Sequence, residues 1–491
     1  MMKPLFVINA VGLTPSLLGE NTPNLNLLIQ RGAMYPLKGV FPALTTSAQA
    51  TMLTGKAPSE HGIVGNGWYF KDLSEIKFWL QPNQLIQGSK VWQLLKQNHP
   101  EITVSQLFWW YNMYADVDFS ITPRPHYPAD GRKIPDLYSQ PSEYHKSIES
   151  NIGCFPFFNF WGPNSDIRSS RWIVDCAIEH FTHNPTDLQF VYLPHLDYNL
   201  QRLGPSDPEI SEDVIQLDHE IGRLIEFCNA EGAEILIVSE YGIHDVDTPI
   251  ALNRELRKKN WLSVRESLGY ELLDAGASDA FAVADHQIAH IYVNDRSKVE
   301  EIKAFVEQIS GVEQVLDSQS KPRWGIDHSR SGDLIAIAKP NAWFSYYYWL
   351  EDTKRPDFAN SVDIHRKPGY DPAELFINPK LRFPKLRILS RLLQKKLGFR
   401  MLMDVVPDHA DMVKGSHGRL ASTPESGPLM ISSYPIPDDI ARNTTQAGLP
   451  MECIFQLILS HFGVNPSSES LSPNNICARE ERTQLNHHYN G

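Results

Sequence analysis

The sequence predicts an α/β fold in which a doubly wound, mainly parallel sheet is sandwiched by helices. Short apolar runs bounded by turn residues predict buried strands at residues 5–9, 190–193, 235–238, 288–293, 334–337 and 429–431. Segments with helical periodicity, such as residues 211–228, alternate with these runs. The chain has 491 residues, of which 42% are hydrophobic, which is enough to form one large core.

The first elements along the chain predict a strand followed by a helix. After the strand at 5–9, Pro23 is placed at the start of a helix that is expected to end at Gly32. A further helix is predicted to begin at Thr45 and to stop at Gly55. In a doubly wound sheet, ligands bind beyond the carboxyl ends of the strands. We therefore expect the functional site at that rim, close to Thr45.

Two aromatic-rich stretches with little periodicity interrupt this pattern. We interpret residues 1–435 as one catalytic domain with insertions at about 108–165 and 340–400, which cap the rim and shape a pocket. Ordinary core or dimer contacts are an equal alternative for their aromatic residues. Residues 436–464 are expected to be a helical segment of the same domain, and residues 465–491 a flexible polar tail.

Charge and composition limit the classes of partner. The net charge of −13, from 45 basic and 58 acidic residues, argues against a nucleic-acid polymer as the main partner. No apolar run reaches the length of a membrane span, and the N-terminal residues show no signal-peptide pattern, so we expect a cytoplasmic location. The five cysteines are scattered and odd in number, which favours neither a disulfide framework nor a zinc knuckle. The oligomeric state stays open.

The stretch from residue 40 to 69 is the centre of the predicted chemistry. It places the Thr45 hydroxyl at the start of a helix, where free N–H groups and the helix dipole favour an anion such as a phosphate. The alternative is that Thr45 only caps its own helix. Thr46 competes with Thr45 for the role of a reactive hydroxyl.

The same stretch carries the pattern Phe-Pro…Thr…Thr-Gly…Pro…His-Gly-Ile-Val-Gly-Asn. This pattern resembles the nucleotide pyrophosphatase/phosphodiesterase branch of the alkaline phosphatase superfamily. The resemblance implies an alkaline phosphatase-like fold, Thr45 as the nucleophile, and two zinc ions held by six carboxylate or imidazole ligands. Thr46, Gln49 and Asn66 are then candidate substrate-binding residues.

Only part of the metal-ligand set that the resemblance implies is present. The family's Asp-x-x-x-His pair appears as Asp197 and Gln201, and its last histidine is His417. The family's Ser-Asp-His-Gly sequence appears here as Ser-Glu-Tyr-Gly, in which Glu240 replaces the aspartate and Tyr241 replaces the histidine. Glutamine and tyrosine are poor substitutes for imidazole as ligands of zinc.

The remaining ligand position also departs from the family. Val11 stands where the family has an aspartate, and Asn9 lies two residues earlier, on the same face of the strand. One metal position would then consist of Asp197, His417 and Gln201, and the other of Thr45, Glu240 and Asn9. Because these sets are rich in oxygen, we expect Mg²⁺, Mn²⁺ or a single Zn²⁺ rather than a standard dizinc pair, with one or two ions bound.

Other residues could complete the site. His195 would share a strand face with Asp197 by the two-residue period and is the preferred replacement nitrogen ligand. Asp-His pairs at 218–219, 285–286, 327–328 and 408–409 leave open whether each histidine is a ligand or an ordinary surface or core residue. Arg366 could bind a phosphate, although a solvated loop is equally consistent with its polar surroundings.

The leading functional hypothesis is a metal-dependent hydrolase of phosphodiester or pyrophosphate bonds. Thr45 would attack phosphorus, and water would hydrolyse the phosphothreonine that results. The substrate would be a small phosphoester with an aromatic group, held by the aromatic insertions. The alternatives are a hydrolytically inactive protein that binds an anionic or aromatic metabolite, and a transferase that passes the phosphoryl group to an organic acceptor.

Overall fold

The computed structural model describes residues 2–129 and 132–464, so the predicted tail at 465–491 lies outside the described residues. Nine strands form the central sheet. In spatial order they are Leu449–Pro450, Ala33–Lys38, Leu429–Ser432, Glu234–Val238, Leu5–Ala10, Leu188–Leu193, Val104–Leu107, Phe119–Pro123 and Leu137–Gln140. The five from Glu234–Val238 to Phe119–Pro123 run parallel, while Leu429–Ser432 and Leu137–Gln140 run antiparallel to their neighbours.

Helices cover both faces of this sheet, as the strand register shows. Phe6 pairs with Gln189 and contacts Phe181 and Phe227, which lie on two helices of one face. Phe190, the residue that follows Gln189 on its strand, contacts Trp92 on a third helix. Because successive side chains of a strand point to opposite faces, these helices lie on opposite sides of the sheet. The doubly wound α/β architecture is therefore confirmed.

The helices are short to medium in length, and several begin or end at the expected residues. Pro23–Arg31 is followed by Gly32, and Thr45–Thr54 is followed by Gly55, whose φ of +66° is costly for any residue with a Cβ. The other helices of seven residues or more are Val91–Asn98, Tyr144–Ile152, Ile167–His183, His195–Leu203, Ile210–Glu231, Leu252–Lys258, Val299–Val306, Pro384–Lys396 and Cys453–His461. In the part of the chain that the structure describes, none has the length and apolar character that a membrane span requires.

A second sheet corrects the expectation for two predicted strands. Ile288–Val293 and Leu334–Ala338 do not join the central sheet but form a four-stranded antiparallel sheet with Ala280–Asp285 and Val312–Leu316. For Ile288–Val293, the antiparallel pairing with Ala280–Asp285 follows from the two-residue connection between Asp285 and Ile288. Such a turn allows only an antiparallel hairpin, whereas a parallel neighbour needs a crossover of a dozen residues or more.

The two stretches interpreted as insertions contribute regular structure as well as loops. The stretch 108–165 supplies two strands at one edge of the central sheet, Phe119–Pro123 and Leu137–Gln140. The stretch 340–400 contains the strand Ala342–Phe344, which pairs with Thr248–Ile250, and the helix Pro384–Lys396.

The carboxyl ends of three neighbouring strands define the rim where the site lies. Asn9 is near the end of the central strand Leu5–Ala10, and it pairs in register with Val238 and Tyr192 of the flanking strands. Glu240 and Asp197 follow those flanking strands by two and four residues. The fold therefore brings the three predicted polar residues to one edge of the sheet.

Asp218 offers a test of the packing that supports this rim. Its buried carboxylate accepts hydrogen bonds from the backbone N–H groups of Asn24 and Leu25, at 3.1 and 2.9 Å, and so caps the helix Pro23–Arg31 from a second helix. We expect Asp218→Ala to lower the free energy of unfolding by about 1–3 kcal/mol, because it leaves buried donors without acceptors. Urea denaturation measures this loss. Asp72→Ala, at an exposed turn, is the control, and equal stability of the two variants would contradict the capping role.

Candidate active site

Thr45 is the first residue of its helix, and its hydroxyl points away from the helix backbone. Thr45 Oγ1 lies 3.0 Å from the phenolic oxygen of Tyr241, and the helix start has no side-chain cap. The neighbouring Thr46 is occupied differently, since its hydroxyl donates to the carbonyl of Gly65 at 2.7 Å. Thr45 also lines an aromatic cavity at this edge of the sheet, whereas Thr46 does not. The geometry therefore makes Thr45 the available hydroxyl.

The carboxylate of Asp197 is the centre of one hydrogen-bond network beside Thr45. It accepts from the hydroxyl of Tyr241 at 3.3 Å and from Gln201 Nε2 at 2.8 Å. Asp197 and Gln201 lie four residues apart on the helix His195–Leu203, so they share one face. Tyr370 completes the network by donating its hydroxyl to Gln201 Oε1 at 2.8 Å.

Glu240 is the centre of a second network. Its Oε1 accepts from Asn9 Nδ2 and from Gln49 Nε2, both at 2.6 Å. Gln49 is itself held by the backbone N–H of Trp110, which donates to Gln49 Oε1 at 2.8 Å. Two buried oxygens of this network, Glu240 Oε2 and Asn9 Oδ1, have no hydrogen-bond partner among the described residues. Such atoms are costly to bury unless a proton, a water molecule or a cation reaches them.

Four rings form a stacked column next to these networks. His417 lies flat against Tyr241, with centroids 3.6 Å apart, and contacts the ring of His286 at 3.8 Å, which in turn stacks on Tyr370 at 3.7 Å. His417 Nδ1 lies 2.8 Å from the carbonyl oxygen of Ala43 and therefore donates to it. This bond leaves the lone pair of a neutral imidazole on Nε2.

Asp285 and His286 bring one of the open Asp-His pairs into the site. Asp285 accepts from the backbone N–H and the side-chain amide of Asn66, at 2.8 and 3.1 Å, and lies 2.8 Å from His286 Nδ1. Asn66 Oδ1 in turn accepts from the backbone N–H of Thr46 at 3.2 Å. Asp285 thus positions the start of the helix that carries Thr45. The dipeptide was visible in the sequence, but its position could not be inferred from spacing.

Burial sets the charge state of the site. It raises the pKa of Asp197 to about 7, that of Glu240 to about 8 and that of Asp285 to about 7, because a carboxylate loses its hydration. The same loss of hydration holds the pKa values of His286 and His417 well below the usual range. Near neutral pH, the imidazoles are therefore uncharged, and the carboxyls can exchange protons.

Aromatic side chains from both predicted insertions wall the cavity above Thr45, which has an empty volume of about 1020 Å³. The aromatic lining consists of Trp79, Trp110, Phe157, Phe160, Trp161, Tyr192, Tyr198, Tyr241 and Tyr370. Arg124 and Lys133 add positive charge to the lining. Tyr370, Arg124 and Lys133 were missed as site residues, because only the tertiary fold brings them to Thr45.

Two expectations for individual residues need correction. His195 was expected to share a strand face with Asp197, but this is wrong: the strand Leu188–Leu193 ends before His195, and His195 begins a helix. Two residues apart on a helix, His195 and Asp197 point in nearly opposite directions, and His195 Nε2 lies 3.3 Å from Asp213 instead. Arg366 is exposed, faces Asp363 at 3.4 Å, and does not line the cavity.

Comparison with known sequences identifies the family. The sequence model of the type I phosphodiesterase/nucleotide pyrophosphatase family matches residues 5–371. The chain belongs to this family. The resemblance inferred from the Thr45 stretch is thereby confirmed. Members of this family are hydrolases of the phosphodiesterase and nucleotide pyrophosphatase type, and the family acts on small phosphoesters.

Curated relatives are distant. Human ectonucleotide pyrophosphatase/phosphodiesterase family member 7 is 23% identical over 286 residues, which cover 55% of this chain and 54% of the relative. An uncharacterised pyrophosphatase/phosphodiesterase of Schizosaccharomyces pombe is 24% identical over 234 residues, covering 45% of this chain and 41% of the relative. The match thus spans about half or less of each relative's length.

Two solved structures share the fold over nearly the whole chain. Murine ectonucleotide pyrophosphatase/phosphodiesterase 5, an inactive threonine-to-alanine variant in complex with AMP, has a TM-score of 0.57 at 16% identity and covers 95% of this chain and 96% of its own. Phosphonoacetate hydrolase from Sinorhizobium meliloti 1021, in complex with phosphonoformate, has a TM-score of 0.60 at 14% identity and covers 94% and 96%. At these identities, the likeness shows the fold alone.

The residues of this chain do not fit a pair of zinc ions. Both oxygens of Asp197 already accept hydrogen bonds, and no group of three or more His, Cys, Asp or Glu side chains within residues 2–129 and 132–464 is arranged to hold a metal. Glu240 Oε2 and Asn9 Oδ1, by contrast, are unpaired oxygens close to Thr45. Oxygen donors of this kind fit one hard cation such as Mg²⁺ or Mn²⁺.

Cation binding at Glu240 should depend on pH. Because a carboxyl with a pKa of about 8 must lose its proton to bind a cation, we expect Mn²⁺ affinity to rise roughly a hundredfold between about pH 6 and about pH 9. Isothermal titration calorimetry of the full chain measures this change. Glu240→Gln should abolish binding, whereas the surface variant Glu60→Gln should not. Equal Mn²⁺ affinity at both pH values, or no binding at either, would exclude this cation site.

Proposed function

We propose that this protein hydrolyses small phosphodiester or pyrophosphate substrates through Thr45. The observation that carries the proposal is the outward-facing hydroxyl of Thr45 at the cavity, in hydrogen-bond contact with Tyr241. The oxygen of Thr45 attacks phosphorus, and an alcohol or a phosphate leaves. The phosphoryl group on Thr45 keeps the other organic substituent of the substrate, and water then hydrolyses this phosphothreonine ester, which releases a phosphomonoester and restores the hydroxyl. That a threonine-to-alanine variant of the murine structural neighbour is inactive supports the role of a threonine.

Tyr241 and Asp197 supply a route for the proton of Thr45. Burial keeps the pKa of Tyr241 well above its usual range, so its phenol stays protonated and donates to Asp197. As Thr45 attacks, its proton passes to the oxygen of Tyr241, while the proton of Tyr241 passes to Asp197. The pKa of Asp197, about 7, suits a group that accepts this proton near neutral pH.

The cavity holds the substrate by shape and charge. Its aromatic walls suit a flat organic group such as a nucleobase, and Arg124 and Lys133 suit phosphate oxygens. The AMP in the murine neighbour supports a nucleotide as one candidate. A divalent cation bound by Glu240 and Asn9 would supply positive charge beside the phosphoryl oxygens. The N-terminus of the helix Thr45–Thr54 adds its dipole at the same place.

Replacement of Thr45 tests the nucleophile. We expect Thr45→Ala to abolish hydrolysis of bis(p-nitrophenyl) phosphate, because no oxygen remains to attack phosphorus, while Thr45→Ser retains measurable turnover. Mass spectrometry of acid-quenched wild-type protein should detect Thr45 that carries a p-nitrophenyl phosphoryl group, because only one p-nitrophenolate leaves when Thr45 attacks. Unchanged turnover of Thr45→Ala would exclude Thr45 as the nucleophile. An added alcohol that collects the phosphoryl group in place of water would instead identify a transferase.

Replacement of Tyr241 tests the proton route. Tyr241→Phe keeps the ring that stacks on His417 but removes the hydroxyl between Thr45 and Asp197. We expect kcat to fall roughly a hundredfold or more, which is typical for loss of general acid–base assistance. Steady-state kinetics with the same chromogenic diester provide the measurement, and the thermal transition of the variant serves as the folding control. A folded Tyr241→Phe protein with wild-type kcat would rule out this route.

A further inference from the structure

The helix Pro384–Lys396 has an apolar face that nothing covers. No residue of this helix is buried, which is unusual for a helix with so many leucines. Leu389, Leu397 and Phe399 are 62%, 65% and 67% exposed. The exposed apolar residues of this helix and its flanks are Phe383, Leu386, Leu389, Leu392, Leu393, Leu397, Phe399 and Leu402.

The spacing of these residues gives the helix two distinct sides. Leu386, Leu389, Leu393 and Leu397 follow one another by three or four residues and therefore lie along one side. We call this side the leucine face. Contact between a continuous leucine face and water is unfavourable, so a partner that buries this face gains binding free energy from the hydrophobic effect.

Positive charge is concentrated around the leucine face. Residues 380–404 contain eight Lys or Arg residues and one acidic residue, Asp404, in a chain whose net charge is −13. Lys385, Lys395 and Lys396 form no ion pair within the described part of the chain. Long basic side chains beside an apolar stripe can reach past it to bind anionic groups.

The helix is held in place at its base. Arg387 and Arg391 both form ion pairs with Asp404, and Arg391 Nε lies 3.0 Å from Asp404 Oδ1. The two ends of the segment that carries this helix, residues 378–405, are joined by a hydrogen bond, in which the N–H of Asn378 donates to the carbonyl of Val405 at 2.7 Å. The leucine face is therefore presented by an anchored helix.

We propose that Pro384–Lys396 is an interfacial helix that docks this protein on a membrane surface containing anionic lipids. The leucine face enters the boundary between headgroups and acyl chains, and the lysines bind lipid phosphates. The occupant follows from charge complementarity, because an apolar face in a segment with eight basic residues and one acidic residue matches an anionic bilayer. A two-fold pairing with a second copy of the chain would instead bring the same basic side chains together.

Vesicle flotation of the full-length protein tests the proposal. We expect the protein to float with vesicles of phosphatidylcholine and phosphatidylglycerol but not with phosphatidylcholine alone, and to be released by high salt. Lys385 and Lys396 lie beside the leucine face by helical spacing, whereas Lys395 lies on the opposite side. The combined variant Lys385→Gln, Lys396→Gln should therefore bind roughly twenty-fivefold more weakly, from about fivefold for each lysine. The variant Leu389→Glu, Leu393→Glu should bind more than about tenfold more weakly, because it places charge on the leucine face.

Matched controls separate docking from a general effect of charge. The control variant Leu73→Glu, Leu268→Glu replaces two leucines that lie elsewhere on the surface and are 61% and 94% exposed. This variant should float like the wild type. All variants should keep the wild-type thermal transition, since the replaced side chains are exposed. No flotation of the wild type with anionic vesicles, or equal flotation of Leu389→Glu, Leu393→Glu, would overturn the proposal. So would a wild-type dimer that this variant converts to monomers, which would identify the face as a subunit interface.

Discussion

The site depends on one constraint, the removal from water of two carboxyl groups at the carboxyl edge of the central sheet, that of Glu240, which is fully buried, and that of Asp197, which is partly buried. A buried carboxylate is stable only if hydrogen-bond donors or cations replace its lost hydration. Asp197 receives donors from Tyr241 and Gln201, and Glu240 receives them from Asn9 and Gln49. These donors come from distant parts of the chain. The networks therefore hold the helix of Thr45, the central strand and the loop after Val238 in one arrangement.

The residues that depart from the family pattern act together. Gln201 and Tyr241 stand where the resemblance to the family implies imidazole ligands, and both donate hydrogen bonds to the same carboxylate, that of Asp197. Neutral hydrogen-bond donors thus stabilise the negative charge of Asp197, as a cation would otherwise do. The oxygens of Asn9 and Glu240 that lack hydrogen-bond partners are the atoms at which we propose that a hard cation binds. The substitutions are consistent as a set, because each supports the charge state of its neighbours.

The stretch 340–400 connects the cavity with the surface of the protein. Its residues Val362, Ile364, His365 and Tyr370 line the cavity, and the helix Pro384–Lys396 follows them along the chain. Because the chain as a whole is acidic, an anionic surface repels most of it and attracts this basic helix. Such a charge distribution orients the molecule on a membrane.

The sequence by itself determined the elements that local chemistry specifies. Pro23, Gly32 and Gly55 bound two helices as expected, and apolar runs marked the strands, because φ restriction and burial act within a few residues. The family and the place of Thr45 at a helix start also followed from the sequence. Only the tertiary structure decided which sheet each strand joins and which residues meet Thr45. Tyr241, His286 and Tyr370 lie about 200 to 325 positions beyond Thr45, and their contacts depend on packing across the sheet edge, which local sequence patterns do not encode.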